Sequence, residues 1–442
     1  MMARWYRILP AIGALAGCAS LMRSSPSVTP AEPVEATVPF LMPGSGDSVS
    51  LEVFVPTGVA QVRAVVAFVE RGLDQYAYDD RSWRSMCARA RCALLRLHLP
   101  RQDGAPPAAQ LVRNAAIGGG AALLQALTLA AQRTHHPELR EARIVLFGFS
   151  AAGRFGPTFA SWRPGRTIGF IRYHSNFRGV SVDTSALVGI PALSIAGAND
   201  IVAGSDDART LWHVLRSQDA PWAYVSHVGQ SHLSVDGLVE AGPLMREWTE
   251  AVIESRVGPT AVLGVAPLAR LRPADGWLLD DSTKVGAVAP LFSGLSSNAS
   301  WVPNAAVAQE LRVLAGLCAA VPLATARDIL GADTRVSVDE VSTCRYTTGT
   351  PGRDLWVTTN RLPTTSAAAA QLEQARQAAA GHLMSGLGGA AFVVADSGRK
   401  CGTLGTAYLT RTFFVALCGE GFGTARDSAT LQPLAQRIVG VR

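Results

Sequence analysis

Residues 143–153 read Arg143-Ile144-Val145-Leu146-Phe147-Gly148-Phe149-Ser150-Ala151-Ala152-Gly153. The apolar residues before Gly148 are typical of a buried strand, and the small residues after Ser150 begin a predicted helix. The pattern therefore predicts a strand, a sharp turn and a helix, with Ser150 in the turn. Such a turn raises the serine hydroxyl above the sheet edge and directs the N–H groups of the helix N-terminus at the same point.

A Gly-x-Ser triplet does not by itself single out this serine. The same triplet occurs at residues 46–48, 229–231 and 294–296. What distinguishes Ser150 is the strand pattern directly before it and the helix pattern directly after it. Ala152 stands where a Gly-x-Ser-x-Gly turn has its second glycine. The alternative interpretation is that Ser150 only caps a helix that follows a strand.

Short apolar runs alternate with longer helical patterns on both sides of this segment. This alternation predicts a doubly wound, mainly parallel α/β sheet with helices on both faces, preceded by an outer hairpin over 50–56. The predicted strands cover 64–69, 93–97, 143–147, 167–172, 192–196 and 222–226, and the predicted helices cover 82–89, 112–133, 152–161, 205–218 and 238–255.

A nucleophilic serine needs a histidine that takes its proton and a carboxylate that orients the histidine. Asp200 lies just past the predicted strand 192–196, where its carboxylate would emerge at the sheet edge. Two histidines follow the strand 222–226. His232 lies in the loop after Gly229 and is the predicted base, whereas His227 ends the strand and is interpreted as structural.

Three further residues are predicted to surround this site. The N–H of Ala151 is expected to be one donor to the oxyanion, and the N–H of Leu73, in the loop after the strand 64–69, is expected to be the other. His174 also ends a predicted strand and is expected to line the substrate pocket. No cofactor is expected, and no group of residues has zinc-finger spacing, so a metal site is not predicted.

The chain exceeds what one hydrophobic core usually absorbs, so two domains are expected. An α/β domain is predicted over 45–256, an extension that packs back on it over 257–305, and a small α+β domain over 306–442. In the last, helices are predicted at 307–315 and 367–380 and strands near 392–394, 406–410 and 413–417. This domain is interpreted as a spacer or as a binding module for a cell-envelope ligand.

The N-terminus has the pattern of a secretion signal. Two arginines precede an apolar run over 8–17 that is too short to span a bilayer stably. Leu15-Ala16-Gly17-Cys18 resembles the lipobox of bacterial lipoproteins, which implies a signal peptide over 1–17, lipidation of Cys18 and attachment to the cell membrane or outer membrane. Residues 18–44 are predicted to be a disordered tether. The alternatives are cleavage near Ala19 without lipidation, or a buried N-terminal helix.

The charge of the chain does not point to nucleic-acid binding. The net charge is +6, but only two of the 40 basic residues are lysines and no basic cluster is interleaved with aromatic residues, so nucleic-acid binding is not predicted.

Without Cys18, six cysteines remain, and an even number in an exported chain favours disulfides. Six cysteines allow 15 connectivities. The simplest is neighbour pairing, which joins Cys87 to Cys92, Cys318 to Cys344, and Cys401 to Cys418.

Residues 45–310 resemble the α/β-hydrolase superfamily, and in particular exported esterases of the polyhydroxybutyrate-depolymerase and feruloyl-esterase type. The resemblance is carried by residues 146–153, with Asp200 and His232 following in the order of that superfamily. It implies a serine hydrolase that cleaves a carboxylic ester in a small molecule or polymer. Two alternatives stay open: a peptidase or amidase with the same residues, and an inactive hydrolase fold that serves as a surface-binding lipoprotein.

Overall fold

The computed structural model describes residues 32–41, 48–69, 74–98, 114–178, 181–258, 267–282, 284, 286–321, 323–362, 365–384, 391–396, 400–408, 411–419, 422 and 427–439. The predicted lipidation site Cys18 and the predicted oxyanion donor Leu73 lie outside these residues. Within them, no helix combines the length and the apolar character needed to cross a membrane.

An eight-stranded sheet forms the centre of the larger domain. Its spatial order is the first, second, fourth, third, fifth, sixth, seventh and eighth strand. The first pairs antiparallel with the second, the second pairs antiparallel with the fourth, and all other pairs are parallel. The strands are β1 Val34–Leu41, β2 Ser48–Val55, β3 Ala64–Val69, β4 Cys92–His98, β5 Ile144–Phe149, β6 Thr167–Tyr173, β7 Ala192–Gly197 and β8 Trp222–His227.

Helices cover both faces of this sheet, which confirms the predicted doubly wound α/β fold. The helices are α1 Asp74–Asp79, α2 Arg81–Ala90, α3 Gly119–Thr134, α4 Phe155–Trp162, α5 Thr184–Leu187, α6 Asp206–Arg216 and α7 Val235–Val257. The helices α3, α4 and α6 bury Leu123, Phe155 and Trp212 on one face, and α2 and α7 bury Trp83 and Trp248 on the other. The six predicted strands are therefore covered on both sides, as is usual for parallel strands.

The structure corrects the prediction for residues 34–41, which fall within the expected tether. They form β1, whose partners run from Val55 opposite Val34 to Ser48 opposite Leu41. The predicted hairpin over 50–56 is only the second arm of this longer β1–β2 hairpin. Every second side chain near the end of β1, including Val38 and Phe40, is buried, and this apolar contact explains why the segment is ordered.

The extension after α7 adds a small sheet against β8. Its strands are β9 Trp277–Asp280, β10 Gly286–Val288 and β11 Ala299–Val302, in the order β10-β9-β11. The Ser300 hydroxyl accepts from the N–H of Tyr224 at 2.9 Å and donates to the Tyr224 carbonyl at 3.0 Å. The guanidinium of the buried Arg216 donates to the Ala299 carbonyl at 2.7 Å. These polar contacts attach the extension to the large sheet.

The following helix, α8 Ala305–Leu314, packs on the larger domain. Its apolar residues Val307 and Leu311 belong to the same buried cluster as Trp248, and its Leu314 carbonyl accepts from the Val228 N–H at 3.2 Å. Apart from its first residue, this helix falls within the predicted second domain, 306–442, yet most of its apolar residues pack on the larger domain. An amphipathic sequence pattern predicts which face of a helix is buried. It does not predict which of two neighbouring domains covers that face.

A seven-stranded antiparallel sheet forms the C-terminal domain, with helices on both faces. Its order is β12-β13-β14-β18-β17-β16-β15. The strands are β12 Arg335–Asp339, β13 Thr343–Thr347, β14 Asp354–Arg361, β15 His382–Met384, β16 Ala391–Asp396, β17 Cys401–Tyr408 and β18 Arg411–Cys418, and the helices are α9 Leu323–Leu330, α10 Thr365–Ala378 and α11 Asp427–Val439. The predicted α+β class is confirmed, although β12 to β15 were not predicted.

The six cysteines that follow Cys18 form the three neighbour pairs. Cys87 lies at bonding distance from Cys92, Cys318 from Cys344, and Cys401 from Cys418. The first pair links the end of α2 to the start of β4, and the other two lie in the C-terminal domain.

A buried ion pair joins α8 to the C-terminal sheet, and removing it is expected to destabilise the chain. Glu310 and Arg411 are 5% and 6% exposed, and their side chains meet at 2.7 Å. Glu310→Ala would leave Arg411 buried without its carboxylate, so we expect the free energy of unfolding to fall by about 3–5 kcal/mol. Denaturant titration followed by tryptophan fluorescence measures this loss.

The matched control is Glu373→Ala, because Glu373 pairs with Arg376 on an exposed helix surface, where an ion pair contributes little. Similar losses in Glu310→Ala and Glu373→Ala would contradict the role assigned to the buried pair.

Candidate active site

Ser150 lies in a sharp turn between β5 and α4. β5 ends at Phe149, and residues Ser150–Arg154 form a 3-10 turn that leads into α4 at Phe155, three residues later than the predicted helix start. Ser150 has a φ of +53°, a left-handed backbone conformation that costs a residue with a side chain about 1 kcal/mol. The predicted strand, turn and helix are therefore present, and the turn is strained at the serine.

Small residues let the turn close. A Cβ atom at Gly148 would lie 2.3 Å from the Ala152 carbonyl oxygen, and one at Gly153 would lie 2.5 Å from Cβ of Ser175. Neither distance is possible without displacement of neighbouring atoms. Ala152, at the position of the usual second glycine, fits in the turn as a buried residue. The backbone that packs too closely on Ser175 to allow a side chain is that of Gly153.

Ser150, His232 and Asp200 are brought together at the carboxyl edge of the sheet. Ser150 Oγ lies 2.8 Å from His232 Nε2, and His232 Nδ1 lies 2.8 Å from Asp200 Oδ2. When the Nδ1 proton is donated to the carboxylate, Nε2 can accept the serine proton. The arrangement therefore has the connectivity of a nucleophile, its base and the group that orients the base.

The Asp200 carboxylate is held on both oxygens. Oδ1 accepts from the N–H groups of Val202 at 2.9 Å and Ala203 at 2.8 Å, while Oδ2 faces His232. Burial alone would raise the pKa of Asp200, but the hydrogen bonds from His232 and from these N–H groups outweigh it and hold the pKa below its ordinary value. The carboxylate is therefore charged throughout the neutral range.

The stability of the chain should depend on pH through this carboxylate. Because the pKa of Asp200 is lower in the folded chain, its contribution is fully present above the unfolded-state pKa of about 4 and is lost as the pH falls through the folded pKa. Between about pH 5 and pH 2, the free energy of unfolding of the wild type should therefore fall more steeply than that of Asp200→Asn. Parallel curves in denaturant titrations of the two proteins would contradict this expectation.

The ring of Phe149 packs against the ring of His232. The ring centroids lie 5.1 Å apart with an interplanar angle of 36°, and Phe149 is buried. Phe149 therefore contributes an aromatic surface beside the imidazole that faces Ser150. Phe149 was not predicted as a site residue, although its position directly before the serine was the available signal.

His174 does not line a substrate pocket as predicted. Its side chain is fully buried, with 0% exposure, and its Nδ1 lies 3.1 Å from the backbone carbonyl oxygen of His232. His174 directly follows β6, as predicted, in a left-handed backbone conformation with φ +45°.

His227 is buried at the end of β8, and its Nε2 lies 3.2 Å from Glu240 Oε2. Its surroundings agree with the interpretation of this residue as structural.

Ala151 lies in the first turn of the 3-10 segment after Ser150. The first N–H groups of a helix have no partner within the helix, which suits Ala151 to its predicted role as an oxyanion donor. The second predicted donor, Leu73, is outside the described residues. Among the residues that the structure describes, no cluster of three or more histidine, cysteine or acidic residues could hold a metal ion.

The close packing at Gly153 can be tested by adding a single methyl group. Gly153→Ala should push Ser175 away from the turn and lower the free energy of unfolding by about 1–3 kcal/mol, because the added atom overpacks a buried contact. Gly165→Ala is the control, since a Cβ at this exposed position meets no atom within 4 Å. Thermal or denaturant unfolding compares the two variants, and an equal effect would show that the contact with Ser175 is unimportant.

Comparisons with known proteins yield structural matches only. No family model matches the chain, and no curated protein matches it. Matching solved structures include an S-formylglutathione hydrolase from Agrobacterium tumefaciens (13% identity, 50% of this chain and 95% of the other, TM-score 0.40) and a dienelactone hydrolase from Anabaena variabilis (18% identity, 49% and 97%, TM-score 0.35). A ferulic acid esterase also matches, at 9% identity over 50% of this chain and 98% of the other, with a TM-score of 0.39.

These similarities are too low to bear on the reaction of this chain. Its own strand order, with parallel strands from β4 onward and an antiparallel β2, together with the strained turn at Ser150, is the α/β-hydrolase fold. The C-terminal antiparallel sheet is a separate addition to that fold.

Proposed function

We propose that the protein is a serine hydrolase that cleaves carboxylic esters. The observation that carries this proposal is the continuous hydrogen-bonded series from Ser150 through His232 to Asp200, placed at a strained turn where the hydroxyl leaves the sheet edge. A structural serine that caps a helix needs neither a histidine on its hydroxyl nor a buried carboxylate behind that histidine.

The geometry supports a two-step reaction. The Ser150 oxygen attacks the ester carbonyl carbon while His232 Nε2 takes the hydroxyl proton, and the resulting oxyanion faces the N–H of Ala151. The tetrahedral intermediate collapses, the alcohol leaves with the proton returned by His232, and an acyl group remains on Ser150. Water, deprotonated by the same imidazole, then releases the carboxylic acid and restores the serine.

Exposed apolar side chains next to the site favour an ester with an apolar group. Ile201 directly follows Asp200 and is 95% exposed, and Leu233 directly follows His232 and is 71% exposed. Each of the two residues is thus the direct chain neighbour of a member of the hydrogen-bonded pair Asp200 and His232. A substrate that covers them would bury apolar surface at about 25 cal/mol per Å².

The experiment that tests this function is hydrolysis of p-nitrophenyl esters of increasing acyl length, combined with labelling by a fluorophosphonate probe. We expect ester turnover and a covalent adduct on Ser150. Parallel assays with p-nitroanilides distinguish an esterase from an amidase or peptidase with the same residues. A protein that neither turns over nor labels would instead be the inactive, surface-binding form of the fold.

We further propose that the chain is exported and lipid-anchored at Cys18. The charged start, the short apolar run and the residues 15–18 support this assignment. Mass spectrometry of the N-terminal peptide from the membrane fraction should find a diacylglycerol thioether on Cys18, and Cys18→Ala should remove the protein from that fraction. An unmodified N-terminus near Ala19 would contradict the anchor.

A further inference from the structure

Two loops at the sheet edge are linked through His174. This residue directly follows β6, and its backbone N–H donates to the Ile195 carbonyl of β7 at 2.7 Å. Its imidazole then crosses to the loop after β8, where Nδ1 lies 3.1 Å from the backbone carbonyl oxygen of His232. His174 therefore connects the ends of β6 and β7 to the loop that carries His232.

The direction of this hydrogen bond is determined by its acceptor. A carbonyl oxygen can only accept, so His174 Nδ1 carries the proton and donates it. Burial lowers the pKa of His174 to about 4, so the ring is neutral at ordinary pH and Nε2 carries no proton. His174 Nε2 is buried without a hydrogen-bond partner among the described groups. The ring thus makes its one side-chain hydrogen bond to the backbone of His232.

Packing fixes the His174 ring in this orientation. It stacks on Tyr173, with centroids 4.0 Å apart and an interplanar angle of 13°. On another side it contacts Gly197, where a Cβ atom would lie 3.1 Å from His174 Cε1 and 2.7 Å from the Gln230 carbonyl oxygen. A side chain at residue 197 would therefore separate His174 from the loop that carries His232.

We propose that His174 is a positioning residue, which holds the His232 backbone through its Nδ1–H so that the His232 imidazole lies between Ser150 and Asp200. The proposal rests on the proposed hydrolase function, because it assigns His174 an effect on that reaction without contact to the substrate. A reactive group displaced by about 1 Å can lose about 100-fold in rate, so a single backbone hydrogen bond at this point has a measurable effect.

The test compares two replacements that both tolerate the left-handed backbone of residue 174. Glycine accepts positive φ and removes the donor, whereas asparagine accepts positive φ and can place its side-chain N–H where Nδ1–H was. For His174→Gly, we expect kcat for a p-nitrophenyl ester to fall about 10- to 100-fold with little change in KM. For His174→Asn, we expect kcat to recover to within about 3-fold of the wild type.

Each rate is divided by the fraction of protein that a fluorophosphonate titrates, so that misfolded protein does not count as slow enzyme. A lower kcat that disappears after this correction, or equal rates for His174→Gly and His174→Asn, would overturn the proposal. If His174→Gly does not fold, His174→Gln replaces it, because glutamine fills the space but carries its N–H beyond the Nδ1 position. Equal rates for the asparagine and glutamine variants would again overturn the proposal.

A spectroscopic measurement separates this proposal from the proposed function. In proton NMR of the histidine-labelled full chain, the Nδ1 proton that His232 shares with Asp200 should give a downfield signal that weakens or moves in His174→Gly and returns in His174→Asn. This signal needs no turnover, so it can be read even if no ester is hydrolysed. An unchanged signal in His174→Gly would overturn the positioning role, whereas a wild type without turnover or labelling would overturn the hydrolase function instead.

Discussion

Replacing Ser150 by alanine is expected to lower kcat/KM for a p-nitrophenyl ester by about 10⁴-fold or more. The substitution removes the attacking oxygen but leaves His232, Asp200 and the N–H groups of the turn in place. Water could then be activated only at a position that the turn does not define. Steady-state hydrolysis and fluorophosphonate labelling measure the loss, and we expect no adduct on the variant.

The matched control for this substitution is Ser296→Ala. Ser296 is also the serine of a Gly-x-Ser triplet, but it lies exposed in the extension, away from any predicted strand-turn-helix. We expect wild-type turnover and labelling from this variant. Labelling of Ser150→Ala at another serine would show that the nucleophile has been assigned to the wrong residue.

Asp200→Asn is the substitution with the second large expected effect, a decrease in kcat of about 10⁴-fold. The amide has nearly the shape of the carboxylate, but it carries no charge to stabilise the imidazolium and no longer imposes the tautomer with the proton on His232 Nδ1. The serine hydroxyl then has no reliable acceptor at 2.8 Å.

The control is Asp206→Asn, since Asp206 lies exposed in the first turn of α6, a few residues beyond Asp200. It should retain wild-type kcat. Comparable losses of kcat in the two variants would contradict the role assigned to Asp200.

The parallel part of the large sheet could be predicted because its strands are buried on both faces. Residues 64–69 are an unbroken apolar run, and the predicted and observed limits of β3 agree. The sequence pattern did not predict β1, because its exposed and buried residues alternate and Pro39 interrupts the pattern. Its order depends on pairing with β2, a contact that no local pattern contains.

Among the strands missed in the C-terminal domain, the edge strand β12 has the same explanation. β12 is mostly exposed and reads Arg335-Val336-Ser337-Val338-Asp339. Its sequence therefore has too few apolar residues to predict a strand. It is a strand because β13 provides its hydrogen-bond partners on one side. Edge strands of antiparallel sheets need only one neighbour and can remain polar.

At the candidate site, the sequence predicted Ser150, His232 and Asp200 and the order in which their side chains connect, but not the contact that His174 makes. Asp200 and His232 follow β7 and β8 closely, so the parallel sheet brings them near Ser150. The contact between His174 and the His232 carbonyl spans 58 residues, and it is made from a backbone with positive φ, which is uncommon for residues other than glycine. Neither the long-range hydrogen bond nor the positive φ of His174 can be predicted from residue spacing or composition.

The left-handed backbone of Ser150 lowers the stability of the folded chain at the residue that the proposed reaction requires. A glycine there would adopt the same φ without the penalty of roughly 1 kcal/mol that a side chain incurs, so Ser150→Gly should unfold at a higher temperature while losing turnover. A population of variants selected only for resistance to heat would therefore tend to discard the one hydroxyl on which the proposed chemistry depends. Selection for thermostability in this protein would have to score hydrolysis at every round.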